Sequence, residues 1–281
     1  MDPEFTRPLT VEEALDDLQQ EGAVAVGGGT QVALLTRQRL LAPARLVWLG
    51  RIEGMGGISA GARGELVLGG GVTIAAIAAS GTVRSLYPAL ARAAAGLGNA
   101  RVRAVATLAG HVAHADPRQD LPPVLLVLDA VARMRRRGAE RLIPLDAFFL
   151  GPFETALADG ELLCELRVPP VAPHTRVAYT RFTPGSDNDY PTVGVAVRLE
   201  VTGGVVRELV VGLAGVGGRP LRLECPEVRG QPPGRDAWES AAATAAAACD
   251  PTSDQRGSAS YKRAMVRLWT VRTLAALTGP S

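Results

Sequence analysis

Two glycine-bearing loops about eighty residues apart constrain this 281-residue chain more than any other feature: Val26-Gly27-Gly28-Gly29-Thr30 and Ala106-Thr107-Leu108-Ala109-Gly110-His111. Each follows or joins a short β-branched run and leads into helical spacing, so each reads as a turn into a helix. Glycine there removes the Cβ, which lets consecutive backbone N–H groups converge on one anion. Two such cradles suit a ligand with two phosphates between them better than a single phosphate does. A side chain at Gly28 is then expected to fill phosphate space while leaving the fold largely intact.

The flanking pattern divides the chain. Thr10, with Glu13 three residues on, reads as a capping box that opens a helix. A short strand at 24–26, a helix at 32–41 ended by Pro43, and a strand at 46–49 make a first α/β unit over residues 6–55. A second unit over 56–170 holds a strand at 66–68, helices at 74–79 and 88–96, and a helix from Leu121. It also holds a hairpin from Val131 through Arg137-Gly138 to Pro144. Pro169-Pro170-Val171-Ala172-Pro173 is the best linker. Beyond it the period changes to two, with strands at 176–181, 192–201 and 205–214 and a turn at Thr202-Gly203-Gly204. Helices at 237–248 and 261–277 close a domain over residues 174–281, and the whole is α+β. Met1-Asp2-Pro3-Glu4-Phe5 has the look of a cloning scar and is set apart from the fold.

Composition narrows the function. A net charge of +2 argues against nucleic-acid binding, which needs a clustered basic face. No apolar run reaches the ~20 residues of a membrane span, and no signal peptide is visible, so a cytoplasmic protein is expected. Cys164, Cys225 and Cys249 have no C-x-x-C spacing, so neither an iron–sulfur cluster nor a zinc site is expected from this chain. His111 and His114 lack a third ligand beyond Asp116 and Asp120, and no metal site is read there. Nucleophile-elbow, Walker and Rossmann signatures are missing. The arginines Arg133, Arg135, Arg136, Arg137 and Arg141 read first as a solvated hairpin and second as a docking patch for an acidic partner. Asp120 reads as a helix N-terminal residue favoured by the dipole, not as a general acid or base.

Motifs along almost the whole chain resemble one family. The first loop is similar to its A-G-G-T loop, Gly69-Gly70-Gly71-Val72-Thr73 to its G-A-x-V-T turn, and the second loop to G-T-I-G-G-N. The stretch from Gly110 to Pro123, then Phe148-Phe149-Leu150-Gly151-Pro152, Asp189-Tyr190-Pro191 and Val193-Gly194-Val195-Ala196-Val197 continue the likeness in order. The chain thereby resembles the FAD-binding medium subunits of the xanthine dehydrogenase and carbon monoxide dehydrogenase (molybdenum hydroxylase) family. The resemblance implies two small α/β subdomains forming an FAD-binding domain of the PCMH or vanillyl-alcohol-oxidase-like type, followed by a smaller C-terminal domain. It implies that Gly28, Gly29 and Thr30, with Gly27 and Gln31 beside them, take one side of the FAD pyrophosphate. Thr107, Gly110 and His111 would take the other, Thr73 and Asp120 would line the ribityl and diphosphate region, and Tyr190 would cover the flavin ring.

The same resemblance implies an electron-transfer subunit working with a molybdopterin large subunit and a 2Fe–2S small subunit. Departures from the pattern keep a second reading open. Ala106 and Ala109 replace glycines, His111 an asparagine, Trp48 an aspartate and Ala76 a glutamate, and the segment 181–188 replaces a basic run. That second reading is a non-redox cyclase or isomerase acting as a lone chain or homodimer on a bulky apolar substrate, with weak or no FAD binding. A stand-alone flavoprotein reductase is a third.

Overall fold

The computed structural model describes residues 3–278. The first subdomain runs β1 (Glu4–Thr6), α1 (Val11–Asp17), β2 (Ala23–Val26), α2 (Thr30–Arg37) and β3 (Arg45–Trp48), and its sheet has the order β1-β3-β2 with both pairings parallel. Setting Glu4 and Phe5 apart from the fold is therefore wrong in structural terms. Glu4 pairs with Arg45 in the sheet, and its carboxylate also accepts from the Arg45 guanidinium at 2.7 Å. The Thr10 cap forms, its Oγ1 accepting from Glu13 N–H at 3.1 Å. The return bond of the box goes one residue further back, from Leu9 N–H to the Glu13 carboxylate.

The second subdomain contains β4 (Ile58–Ala60), β5 (Leu66–Gly69), α3 (Ile74–Ala79), α4 (Gly81–Leu86), α5 (Pro88–Gly96), α6 (Ala100–Val105), α7 (Leu108–His114) and α8 (Leu121–Val127). Strands β6 (Val131–Arg136), β7 (Ala139–Pro144), β8 (Phe149–Gly151), β9 (Glu154–Thr155) and β10 (Leu162–Val168) follow. Its main sheet, β4-β5-β10-β6-β7, is antiparallel throughout. Leu162 and Cys164 on β10 pack with Ala14, Leu15 and Val47 of the first subdomain, so the two units share a small core.

The C-terminal domain is a four-stranded antiparallel sheet, β11 (Thr175–Phe182), β12 (Val193–Thr202), β13 (Val205–Ala214) and β14 (Leu221–Glu224), in that order. Helices α9 (Arg235–Ala247) and α10 (Ala259–Thr278) follow it. Period-two alternation assigns its faces. Val193, Val195, Val197, Leu209, Val211 and Leu213 join the core under α9 and α10, whereas Ala196 and Val210 join the core of the second subdomain. On that side small residues admit α8. A Cβ on Gly212 would overlap the Pro123 carbonyl, so the helix can seat on the sheet only if this position stays bare. The β12–β13 turn has Gly203 and Gly204 both left-handed, at φ 62° and 77°, as a tight hairpin of two such residues requires.

Candidate functional site

The first glycine loop leaves β2 and starts α2. Gly29 is the N-cap at φ +71°, a conformation that favours glycine, and no side chain caps the helix. Among the described residues, the N–H groups of Gly27, Gly28 and Gly29 make no hydrogen bond within the protein. Together with the first-turn amides of α2 they form an open, positively polarised end. The glycines also serve a second purpose. A Cβ on Gly27 would overlap the Thr107 hydroxyl, and one on Gly28 would overlap the Val105 carbonyl and stand 2.9 Å from the Ala106 Cα. The two loops pack backbone to backbone, so the expectation that a Gly28 side chain spares the fold is corrected.

The second loop is built differently. Leu108 N–H donates to Val72 O at 2.8 Å, Ala109 N–H to Gly70 O at 2.9 Å, and Gly110 N–H to Thr107 Oγ1 at 3.3 Å. Thr107 is thus the cap of α7, as Thr73 is of α3, where its Oγ1 accepts from Ala76 N–H at 3.1 Å. The amides that would have cradled a phosphate already have partners. The alanine at 109 also has a local reason. A Cβ on Gly70 would stand 2.7 Å from the Leu163 carbonyl oxygen and 2.9 Å from the Ala109 methyl. The resembled pattern carries alanine at 70 and glycine at 109, and this chain has the reverse, so one methyl is kept in the contact.

Two cavities flank the loops. The larger, about 520 Å³, reaches from Val32, Leu35 and Val102 past Gly29, Thr30 and Gln31 to His111, Gln119, Asp120 and Tyr190. The smaller, about 410 Å³, is walled by Trp48, Leu49, Met55, Thr73, Leu162 and Leu163. Gly27, Gly28, Thr107 and Gly110 line both, so the loops form the waist of one elongated cleft. Its size falls in the usual range for cofactor sites. An extended molecule with an anionic middle and two ring systems at its ends fits this shape, and the buried Nε2 of His111, which has no hydrogen-bond partner among the described residues, leaves an unmet polar group beside it.

All eleven residues expected at the site line this cleft. Burial drives the His111 imidazole down to about 3, so it is neutral at physiological pH. Burial lifts the Asp120 carboxyl above its ordinary range against the opposing pull of Arg181. Asp120 Oδ1 accepts from Tyr179 OH at 2.7 Å and from Arg181 Nε at 2.9 Å, and it makes no cap bond to α8. An ion pair with Arg181, rather than the helix end alone, therefore holds this carboxylate.

Tyr190 is held from several sides. Its hydroxyl meets Gln31 Nε2 at 3.1 Å, and the Arg118 guanidinium lies over its ring at 5.2 Å. Arg181 donates to the carbonyls of Asp187 and Asp189, and Arg256 Nη2 to the Asp189 carboxylate at 2.9 Å. Sequence reasoning missed Gln119, Arg118 and Arg256; the last is 66 positions beyond Tyr190 in the chain and carries no local signal. Four of the five hairpin arginines are neutralised by this chain: Arg133 pairs with Glu140 and Glu165, Arg135 with Glu12, Arg137 with Asp16 and Arg141 with Glu161. Those four arginines hold β6 and β7 to neighbouring elements, which leaves little charge for a partner.

Comparisons with known proteins agree with this geometry. Residues 2–171 match the FAD binding domain in molybdopterin dehydrogenase, and residues 178–277 the CO dehydrogenase flavoprotein C-terminal domain. The carbon monoxide dehydrogenase medium chain of Hydrogenophaga pseudoflava is 32% identical over 97% of this chain and 96% of its own. The nicotine 6-hydroxylase medium subunit of Paenarthrobacter nicotinovorans is 27% identical over 96% and 95%. The solved carbon monoxide dehydrogenase of H. pseudoflava superposes with a TM-score of 0.94 at 31% identity, covering 99% of both chains. The free amides of the first loop, the cleft with its waist at the two loops and these matches lead to one assignment: the chain belongs to the FAD-binding medium subunits of the molybdopterin-dependent dehydrogenases, and its cofactor is FAD.

Proposed function

We propose that this chain is the electron-transfer subunit of a molybdopterin-dependent oxidoreductase, and that it works with a molybdopterin large subunit and a 2Fe–2S small subunit. The observation that carries the reading is the first loop, whose unengaged amides face a cleft shaped for a dinucleotide in a chain matched end to end by FAD-binding medium subunits. FAD supplies a carrier that takes and gives electrons singly or in pairs. The chain supplies the rest. Amides of Gly27, Gly28 and Gly29 and the α2 N-terminus hold the diphosphate, and Thr107 with Gly110 closes the opposite side. Trp48 walls the smaller lobe, read as the adenosine end, and Tyr190 covers the larger, read as the ring end. Neutral His111 offers a hydrogen bond without adding charge.

Relatives of similar sequence carry names with unlike substrates: carbon monoxide, glyceraldehyde and nicotine. Substrate choice therefore rests with another subunit. The whole-length match to these medium chains favours this reading over the cyclase and stand-alone reductase alternatives. The cytoplasm is the compartment assigned, supported by three buried, unpaired thiols. The test is the visible spectrum of the purified chain and the FAD released on denaturation. About one FAD per chain is expected, with little turnover of organic substrates by the isolated chain. A colourless chain that cannot be reconstituted, or one that isomerises a substrate without any acceptor, contradicts the reading.

A further inference from the structure

The two helices that wall the larger lobe each keep one face open to solvent among the described residues. Neither α2 nor α6 buries a single residue. Leu34 is 45% exposed, Leu40 71% and Val105 48%, and Arg37, Arg39 and Arg101 stand exposed among them. In the hairpin and the C-terminal domain most arginines meet a carboxylate of this chain, but among the described residues none of these three does. The imbalance extends well beyond three side chains. Residues 22–115 hold nine arginines against Glu53 and Glu65, a net charge of +7 in a chain whose total is +2. A composition weak in acids is a property of this third of the chain, and it reaches the surface beside the flavin lobe.

An exposed face that mixes apolar side chains with unneutralised arginine suits a subunit interface, where arginine is enriched, lysine is depleted and the buried centre is more apolar than the rest of the surface. Its apolar share suits a lasting contact better than a brief encounter. Its position matters as much. Electrons must enter close to the flavin ring, and α2 and α6 are the walls of the lobe that takes it. We propose that the α2–α6 face, with Arg37, Arg39, Leu40 and Arg101 at its centre, is the docking surface for the 2Fe–2S subunit, and that the subunit meets it with an acidic, partly apolar face. The proposal rests on the electron-transfer reading given above.

The test uses the FAD-loaded chain and the purified 2Fe–2S subunit of the same organism, with binding followed by titration at low and moderate salt. Wild-type affinity is expected to fall as salt rises, because exposed charge pairs are screened. The triple reversal Arg37→Glu, Arg39→Glu and Arg101→Glu is expected to weaken binding about a hundredfold, with FAD content and unfolding midpoint unchanged. Leu40→Ser, which alters no charge, is expected to weaken it about tenfold. Arg207→Glu with Arg229→Glu, exposed on the C-terminal domain, should leave it unchanged. A triple variant and a Leu40→Ser variant that both bind as the wild type does would overturn the proposal. So would a triple variant that keeps the 2Fe–2S subunit and instead loses electron delivery to an external acceptor. A wild-type chain that holds FAD but takes up no 2Fe–2S subunit overturns the electron-transfer reading itself.

Discussion

In the first glycine loop three successive amides, of Gly27, Gly28 and Gly29, have no partner among the described residues, whereas in the second Leu108, Ala109 and Gly110 donate to Val72, Gly70 and Thr107. The first is therefore the anion cradle. The second is a scaffold, stitched to the end of β5 and to the start of α3, against which the first is pressed. What it lends to the cleft is a hydroxyl, a bare Cα and a neutral imidazole. Glycine in a sequence says that backbone comes close to something. Only the partners of its neighbours' N–H groups say whether that something is a ligand or the protein itself.

The sharpest way to break this comparison is Gly28→Val. Its side chain would enter the Val105 carbonyl, so the loops must part, and a loss on the order of 3 kcal/mol together with FAD binding is expected. Denaturant unfolding and FAD titration read both effects; a stable variant that merely lost FAD would show that the loops are not packed as described. Next in size is the exchange across the Gly70–Ala109 contact. Gly70→Ala alone should cost about 2 kcal/mol by overpacking, and adding Ala109→Gly should recover part of that cost, a coupling a double-mutant cycle measures. Strict additivity would mean that the reversed pair is coincidence.

Over the first unit of acidification below neutral, a smaller effect is expected from pH. Burial holds His111 down to about 3, while an unfolded histidine titrates near 6.5. The unfolded chain thus binds more protons between these values, and stability must fall as pH drops through that window, by up to about 1.4 kcal/mol per pH unit. His114, also lowered by burial, adds in the same direction. Unfolding midpoints at mildly acidic pH should fall less for His111→Asn than for the wild type; parallel curves would place His111 in water. The smallest stability change belongs to Gly110→Ala, where a Cβ meets only the Thr107 hydroxyl at 3.0 Å inside a helix. Stability should move by less than about 1 kcal/mol while FAD affinity drops, so a large loss of stability would erase the contrast with Gly28.

Much of this arrangement is legible in the sequence where local chemistry decides the backbone. Helices α3 and α5 fall at the expected 74–79 and 88–96, because Thr73 caps one and Pro88 starts the other. The β12–β13 hairpin follows from its paired glycines. Helices α4 and α6, six residues each, escape notice because such short helices depend on tertiary packing rather than on a readable period. Strand β14 and the β8–β9 pair are missed for a similar reason, being too short to alternate clearly. The helix expected at 32–41 starts two residues earlier and stops at Arg37, where Arg39 turns left-handed before Pro43 is reached. At the site, residue identities are legible and their roles are less so: the internal bonding of the second loop, the methyl exchange between 70 and 109, and the hold of Arg256 on Asp189 all join distant positions that no local pattern connects.

The inequality of the two loops is tested most directly by a crystal structure of the FAD-loaded chain. The diphosphate oxygens should lie about 2.8–3.2 Å from the N–H groups at Gly27–Gly29 and the first turn of α2, while Leu108, Ala109 and Gly110 keep their protein partners. A diphosphate held instead by the second loop, with the bonds to Val72 and Gly70 broken to receive it, would contradict the account.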